Sequence, residues 1–118
     1  MRKLLMPIQG DYVAPRFDLA TEVYVARFED GKVIGEPKTI IMEKPSDEEL
    51  CHMIIEEHIS DVICGGIEEI HYNFLVWKKI VVKDGVIARW EDAFQLLLDG
   101  TLGQGDIVLD ESDALGIL

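Results

Sequence analysis

The spacing of apolar positions changes along the chain, and each change predicts an element. Residues 3–9 place Leu4, Leu5, Met6 and Ile8 almost without interruption and stop at Gly10-Asp11, which reads as a first strand buried on both faces. Residues 12–20 show no period and read as an irregular loop. Within it Pro15 fixes its own φ and keeps Ala14 extended, so Arg16, Phe17 and Asp18 are presented in a set conformation. Residues 21–28 alternate, with Val23 and Val25 against Tyr24 and Ala26, and residues 32–42 carry Val33, Ile34, Ile40 and Ile41. Asp30-Gly31 between these runs is a strong hairpin signal, so they pair antiparallel. Gly35 and Pro37 predict that the third strand bulges or lies at an edge.

From residue 46 the period lengthens to that of a helix. Ser46-Asp47-Glu48-Glu49 after Pro45 forms a capping box, the Ser46 hydroxyl accepting from the N–H of Glu49 and the Glu49 carboxylate reaching back. Leu50, Cys51, Ile54, Ile55 and His58 form the stripe expected to face inward. His52 is left in solvent, and His58 sits near the last turn, where the negative helix end favours a cation. Cys51 and His58 lie two turns apart and cannot share a metal without further ligands; the spacing shows no zinc-type cluster. Residues 62–64 read as a short strand and 68–78 as a second helix, with Ile67, Ile70, His71, Phe74 and Trp77 inward and His71 a core histidine, the alternative being a ligand. Residues 80–82 read as a strand turned by Lys83-Asp84-Gly85, and residues 89–98 as a last helix packing through Trp90, Ala93, Phe94, Leu97 and Leu98 and stopped by Gly100. Three strands followed by helix, strand, helix, strand and helix imply an α/β fold, a mixed five-stranded sheet with flanking helices.

The candidate chemistry gathers at Asp61-Val62-Ile63-Cys64-Gly65-Gly66-Ile67. A buried strand runs into paired glycines, which let another group approach the main chain closely, and then into a helix whose first N–H groups favour an anion. A thiol, a glycine turn and a helix N-terminus thus meet at one place, with the alternative that the glycines only make a compact turn and Cys64 is a small core residue. Ligands of open α/β sheets collect beyond the carboxyl ends of strands, and both this turn and the loop holding Arg16 leave such ends.

Composition narrows the partners. The 118 residues suit one domain with a real core. A formal net charge of −12 repels nucleic-acid phosphates and anionic lipid, and no apolar run is long enough to cross a bilayer. Two cysteines outside any CxxC pair fit a reducing, cytoplasmic setting. After Leu102 the chain becomes acidic and amphipathic, so residues 1–102 read as the domain and residues 103–118 as a tail that adds an edge strand, packs against a neighbouring copy in a homodimer, or stays mobile.

The order and spacing of Ala14-Pro15-Arg16-Phe17, Glu29-Asp30-Gly31-Lys32-Val33, Asp61-Val62-Ile63-Cys64-Gly65-Gly66-Ile67 and Phe94-Gln95-Leu96-Leu97-Leu98-Asp99-Gly100-Thr101-Leu102 resemble the dinitrogenase iron-molybdenum cofactor family, which includes NifX, NafY and the C-terminal domain of NifB. The resemblance covers residues 3–102. It implies a ribonuclease H-like fold without nuclease chemistry, acting as a carrier or chaperone for a molybdenum- or iron-sulfur-containing cluster and exchanging it with cluster donor or acceptor proteins. Arg16, Cys64, Gly65 and Gly66 would then form the cofactor pocket, with Cys64 the metal ligand. In the family the first loop reads Ser-Pro-His-Phe-Gly-Arg-Ala or close to it; here Ala14, Arg16, Asp18 and Leu19 replace its serine, histidine, glycine and arginine. Arg16 cannot coordinate a metal, though it can hydrogen-bond sulfide or an oxyanion. The alternative is an interaction or regulatory module of the same fold. A two-metal nuclease needs clustered carboxylates, and the predicted first strand carries none, so the chain reads as a protein that is not an enzyme.

Overall fold

The computed structural model describes residues 1–109. Its elements run β1 (Arg2–Gln9), β2 (Tyr12–Val13), a 3-10 turn (Phe17–Leu19), β3 (Glu22–Glu29), β4 (Lys32–Ile41), α1 (Asp47–Glu56), β5 (Asp61–Ile63), α2 (Glu69–Trp77), β6 (Val81–Lys83), β7 (Ile87–Ala88), α3 (Trp90–Asp99) and β8 (Ile107–Val108). The main sheet is mixed, in the order β4-β3-β1-β5-β6, with β2 added against β1. β1 is antiparallel to β3 and parallel to β5, which is parallel to β6. The sheet therefore has six strands rather than five. The sixth lies in the segment expected as irregular loop, where Val13 and Tyr12 turn back to pair with Ile8 and Gln9.

Period-2 alternation along β1 divides the core between the two faces of the sheet. Leu5 packs with Val23, Val25, Val62, Leu50, Ile54 and Leu75 on the face covered by α1 and α2. Leu4, Met6 and Ile8 pack with Ala26, Phe28, Phe94 and Leu97 on the face covered by α3. Aromatic contacts fasten α3: Tyr24 lies 4.7 Å from Trp90, and Phe94 meets Phe28 edge-on at 6.3 Å between ring centroids. The β3–β4 hairpin turns at Asp30 and Gly31, both at positive φ (51° and 76°), the twist that two-residue hairpins require. β4 is an edge strand and its register shifts opposite Ala26, where Gly35 takes a φ of 71°.

The helices depart from the expected stripes. In α1 the Ser46 hydroxyl accepts from the Glu49 N–H at 3.1 Å, and Leu50, Cys51 and Ile54 are buried. Ile55 is exposed, and His58 lies beyond the helix end in the left-handed region. In α2 only Leu75 is fully buried, with His71 and Tyr72 half-buried beside it. Ile70 and Trp77, expected inward, are 70% and 74% exposed. Apolar residues surround this short helix, so period alone does not select its buried side.

Asp61 opens β5 as a buried carboxylate. Arg2 of β1 forks onto it with Nη2–Oδ2 at 2.5 Å and Nε–Oδ1 at 3.2 Å, and the Ser60 hydroxyl donates at 2.6 Å. Part of the segment expected as a tail is built into the fold: Ile107 and Val108 pair in parallel with β7, and Gly105 N–H donates to Asp84 O at 2.8 Å. Residues 110–118, the rest of that segment, lie outside the described residues. No helix among the described residues is long and apolar enough to cross a membrane.

Candidate functional site

Beyond Ile63 the chain leaves the sheet and is tied to two neighbouring loops by its main chain. On one side Cys64 N–H donates to Lys83 O at 3.0 Å, Gly85 N–H to Gly65 O at 2.9 Å and Val86 N–H to Cys64 O at 3.1 Å. On the other, Gly66 N–H donates to Pro15 O at 2.7 Å and Phe17 N–H to Gly66 O at 2.8 Å. The loop after β1 comes so close that a Cβ on Gly65 would lie 2.5 Å from the carbonyl oxygens of both Ala14 and Pro15. Close approach, rather than positive φ, is what requires a glycine there. α2 begins at Glu69, and the Gly66 N–H is already committed to Pro15, so the turn is not an open anion nest at a helix N-terminus.

A cleft of about 430 Å³ opens beside this turn. Gln9, Tyr12 and Val13 form one wall, Pro15, Gly65 and Gly66 a second, and Gly85, Val86, Ile87 and Ala88 a third. It lies beyond the carboxyl ends of β1, β5 and β6, where an α/β sheet offers its binding crevice. Among the described residues its lining contains no charged side chain. A cation stands near one wall: the Arg89 guanidinium lies 5.2 Å from the centre of the Tyr12 ring, with Asp11 Oδ2 at 3.8 Å.

Of the four residues singled out in the sequence, Gly65 and Gly66 line this cleft. Cys64 does not. Ile63 belongs to the core on the α3 face and Cys64 to the core on the α1–α2 face, whereas the cleft-lining Val13, Val86 and Ala88 share the α3 face. The thiol is fully buried, and burial, with Asp84 adding to it, pushes it up to about 12. The expectation that Cys64 presents a thiolate to the cleft is therefore corrected: one residue past the end of β5, Cys64 is set into the core on the opposite side of the sheet. Arg16 is also absent from the lining. Its backbone bridges to Gly66, but its exposed guanidinium forks onto Asp18, with Nη2–Oδ2 at 2.6 Å and Nε–Oδ1 at 3.0 Å.

A second cluster escaped sequence reasoning. Asp47 at the start of α1, Glu68 just before α2 and His71 within it bring one ligand atom each to within 4.8 Å of one another. His71 Nε2 lies 2.8 Å from Asp47 Oδ2 and its Nδ1 3.9 Å from Cys51 Sγ. Contact with His71 holds the Asp47 carboxyl below its ordinary value. Glu68-Glu69-Ile70-His71 carries the one local signal, a carboxylate and an imidazole three residues apart on a helical turn.

Neither a protein-family model nor a curated protein matches the sequence. Solved structures do match its fold. A crystal structure of PH0822 superposes with a TM-score of 0.76 at 18% identity, over 86% of this chain and 93% of that one. A protein of Methanocaldococcus jannaschii provisionally named a dinitrogenase, MJ0327, superposes with a TM-score of 0.70 at 22% identity, over 86% of this chain and 92% of that one. A Thermotoga protein provisionally named a NifB protein, TM1290 of the DUF35 family, gives 0.70 at 13% identity, over 94% of this chain and 99% of that one. What this chain shares with these proteins is the fold: a mixed sheet between helices, over nearly their whole length.

Proposed function

We propose that the protein is a non-enzymatic accessory protein of metal-cofactor biosynthesis, ribonuclease H-like in its sheet, that carries an iron-molybdenum or iron-sulfur cluster between donor and acceptor proteins in the cytoplasm. Two things support the reading: a fold shared with proteins named a dinitrogenase and a NifB protein, and the character of the cleft. The second carries it. Although the chain carries 23 acidic residues, no acidic side chain among the described residues lines this cleft, so an anionic cargo meets neutral walls there and repulsion elsewhere. The glycine backbone of Gly65 and Gly66 forms one wall, and the Gln9 amide and Tyr12 side chain supply polar groups on another. Arg16 reaches an anion by leaving Asp18, an exposed pair worth roughly 0–1 kcal/mol. Cys64 takes no part, so the cargo has no thiolate from this chain in the cleft and is held loosely enough to be handed on.

The test is reconstitution without oxygen, with iron, sulfide and molybdate, followed by metal and sulfide analysis and visible spectroscopy. The wild-type protein and Cys64→Ala are expected to retain the same metal. Ile87 lines the cleft but is 45% exposed; Ile87→Asp is expected to lose most of the metal, and Ile87→Lys to keep it. A colourless wild-type protein with no metal above the buffer level overturns the proposal.

A further inference from the structure

Three parts of the chain converge on the α1–α2 side of the sheet. Asp47 is the first residue of α1, Glu68 caps α2, and His71 lies in the first turn of α2. Asp47 and His71 are each held in place by their neighbours. The Asp47 side chain accepts the Glu48 N–H on Oδ1 at 2.8 Å, which leaves Oδ2 pointing at His71. His71 is held from behind: its ring centre is 6.3 Å from that of Phe17, and Cys51 Sγ faces its Nδ1. With its side chain only 18% exposed, the imidazole is aimed at Asp47 rather than into solvent. Glu68 and His71 stand at i and i+3, the spacing by which Glu-x-x-His segments present a carboxylate and an imidazole to one ion.

The charges do not balance as they stand. His71 already faces Asp47, while the exposed Glu68 carboxylate has no side-chain partner among the described residues. Two carboxylates held together in a chain of net charge −12 repel each other, and a cation between them removes that cost.

We propose that Asp47, Glu68 and His71 bind one divalent transition-metal ion, of which Zn²⁺ is the type. One nitrogen and two oxygens suit a borderline ion; Mg²⁺ and Ca²⁺ favour all-oxygen sets. His71 ligates through Nε2, and its Nδ1–H is then directed at Cys51 Sγ, which fixes the tautomer. Zinc–ligand bonds of about 2.0–2.2 Å bring the Glu68 carboxylate in toward the other two donors, a movement its exposed side chain can make, while the 2.8 Å contact between His71 Nε2 and Asp47 Oδ2 opens as the ion takes its place. Three protein ligands leave a further position open to water or to a donor from a partner. The site is separate from the glycine-walled cleft, shares no residue with its lining, and does not depend on the carrier reading.

The chelator-stripped full chain is titrated with Zn²⁺ by calorimetry and with Co²⁺ by visible absorption. One Zn²⁺ per chain is expected, with Co²⁺ giving d–d bands that Zn²⁺ abolishes. Glu68→Gln, a change at an exposed side chain that leaves the fold intact, and His71→Asn are each expected to weaken Zn²⁺ binding at least about tenfold. Cys64→Ala and Ile87→Asp are expected to bind it as the wild type does, so failure here and failure of the carrier reading are told apart. Absence of saturable Zn²⁺ binding overturns the proposal, as does binding that Glu68→Gln and His71→Asn leave unchanged.

Discussion

Gly65 and Cys64 are adjacent, yet they play opposite parts. At Gly65 an added methyl group would collide with the carbonyls of Ala14 and Pro15, and the Pro15 carbonyl is pinned by the hydrogen bond it accepts from Gly66 N–H. Gly65→Ala is therefore expected to cost about 1–3 kcal/mol through overpacking. At exposed Gly66 the same methyl would sit 3.4 Å from Pro15 O, and Gly66→Ala is expected to stay within about 0.5 kcal/mol of wild type. Urea unfolding of both variants checks the contrast; equal losses would mean that the loop after β1 yields freely. That a glycine pair matters was legible in the sequence, but which glycine, and why, was not, because the loop that crowds Gly65 is about 50 positions away in the chain. Nor was the direction of Cys64 legible: it follows from which face of β5 receives α1 and α2.

Among the elements, α1 shows how far local chemistry reaches. Its N-cap is a hydrogen bond between residues three apart, so Ser46, Asp47 and Glu49 announced it directly. Ser46→Ala is expected to lower stability by about 1 kcal/mol, read as a shift in the urea midpoint with unchanged slope. The stripe that α1 and α2 bury was less legible. Ile55, Ile70 and Trp77 fit a helical period but face solvent, since the end of a short helix is oriented by the strand and turn that lead into it. α3 was readable throughout because polar residues mark its outer side, Glu91, Asp92 and Gln95 against Ala93, Phe94 and Leu97. β2 and β8 are two residues each and form only because β1 and β7 are there to pair with them.

The molecule as a whole is tied across layers by charge as well as by core. Glu57, just past α1, receives Lys38 of edge strand β4 at 2.7 Å and Lys3 of β1 at 3.0 Å. The hydrogen bond from Lys38, then that from Lys3, holds its carboxyl below the ordinary value of 4.5. A carboxyl depressed in the folded state contributes stability that is present above that ordinary value and is lost as pH falls through the folded one. Glu57→Gln is expected to cost roughly 0.5–1 kcal/mol at pH 7 and low salt, the range of partly exposed pairs. The difference from wild type should close as pH falls below the folded value, and should shrink in salt; a constant difference across pH would assign the loss to packing instead.

The sequence by itself determined what depends on neighbours in the chain: the apolar run of β1, the alternation of β3, the Asp30-Gly31 hairpin, the bulge at Gly35 on an edge strand, the Ser46 cap and the Gly100 stop. These are set by hydrogen bonds and side-chain periods spanning a few residues. Tertiary structure decided what depends on distant chain segments meeting. It set Cys64 into the core, walled a neutral cleft from three loops, and brought Asp47, Glu68 and His71 together. Sheet order and helix rotation fix such encounters, and they are chosen by the summed burial of a core shared among all the strands rather than by any local pattern.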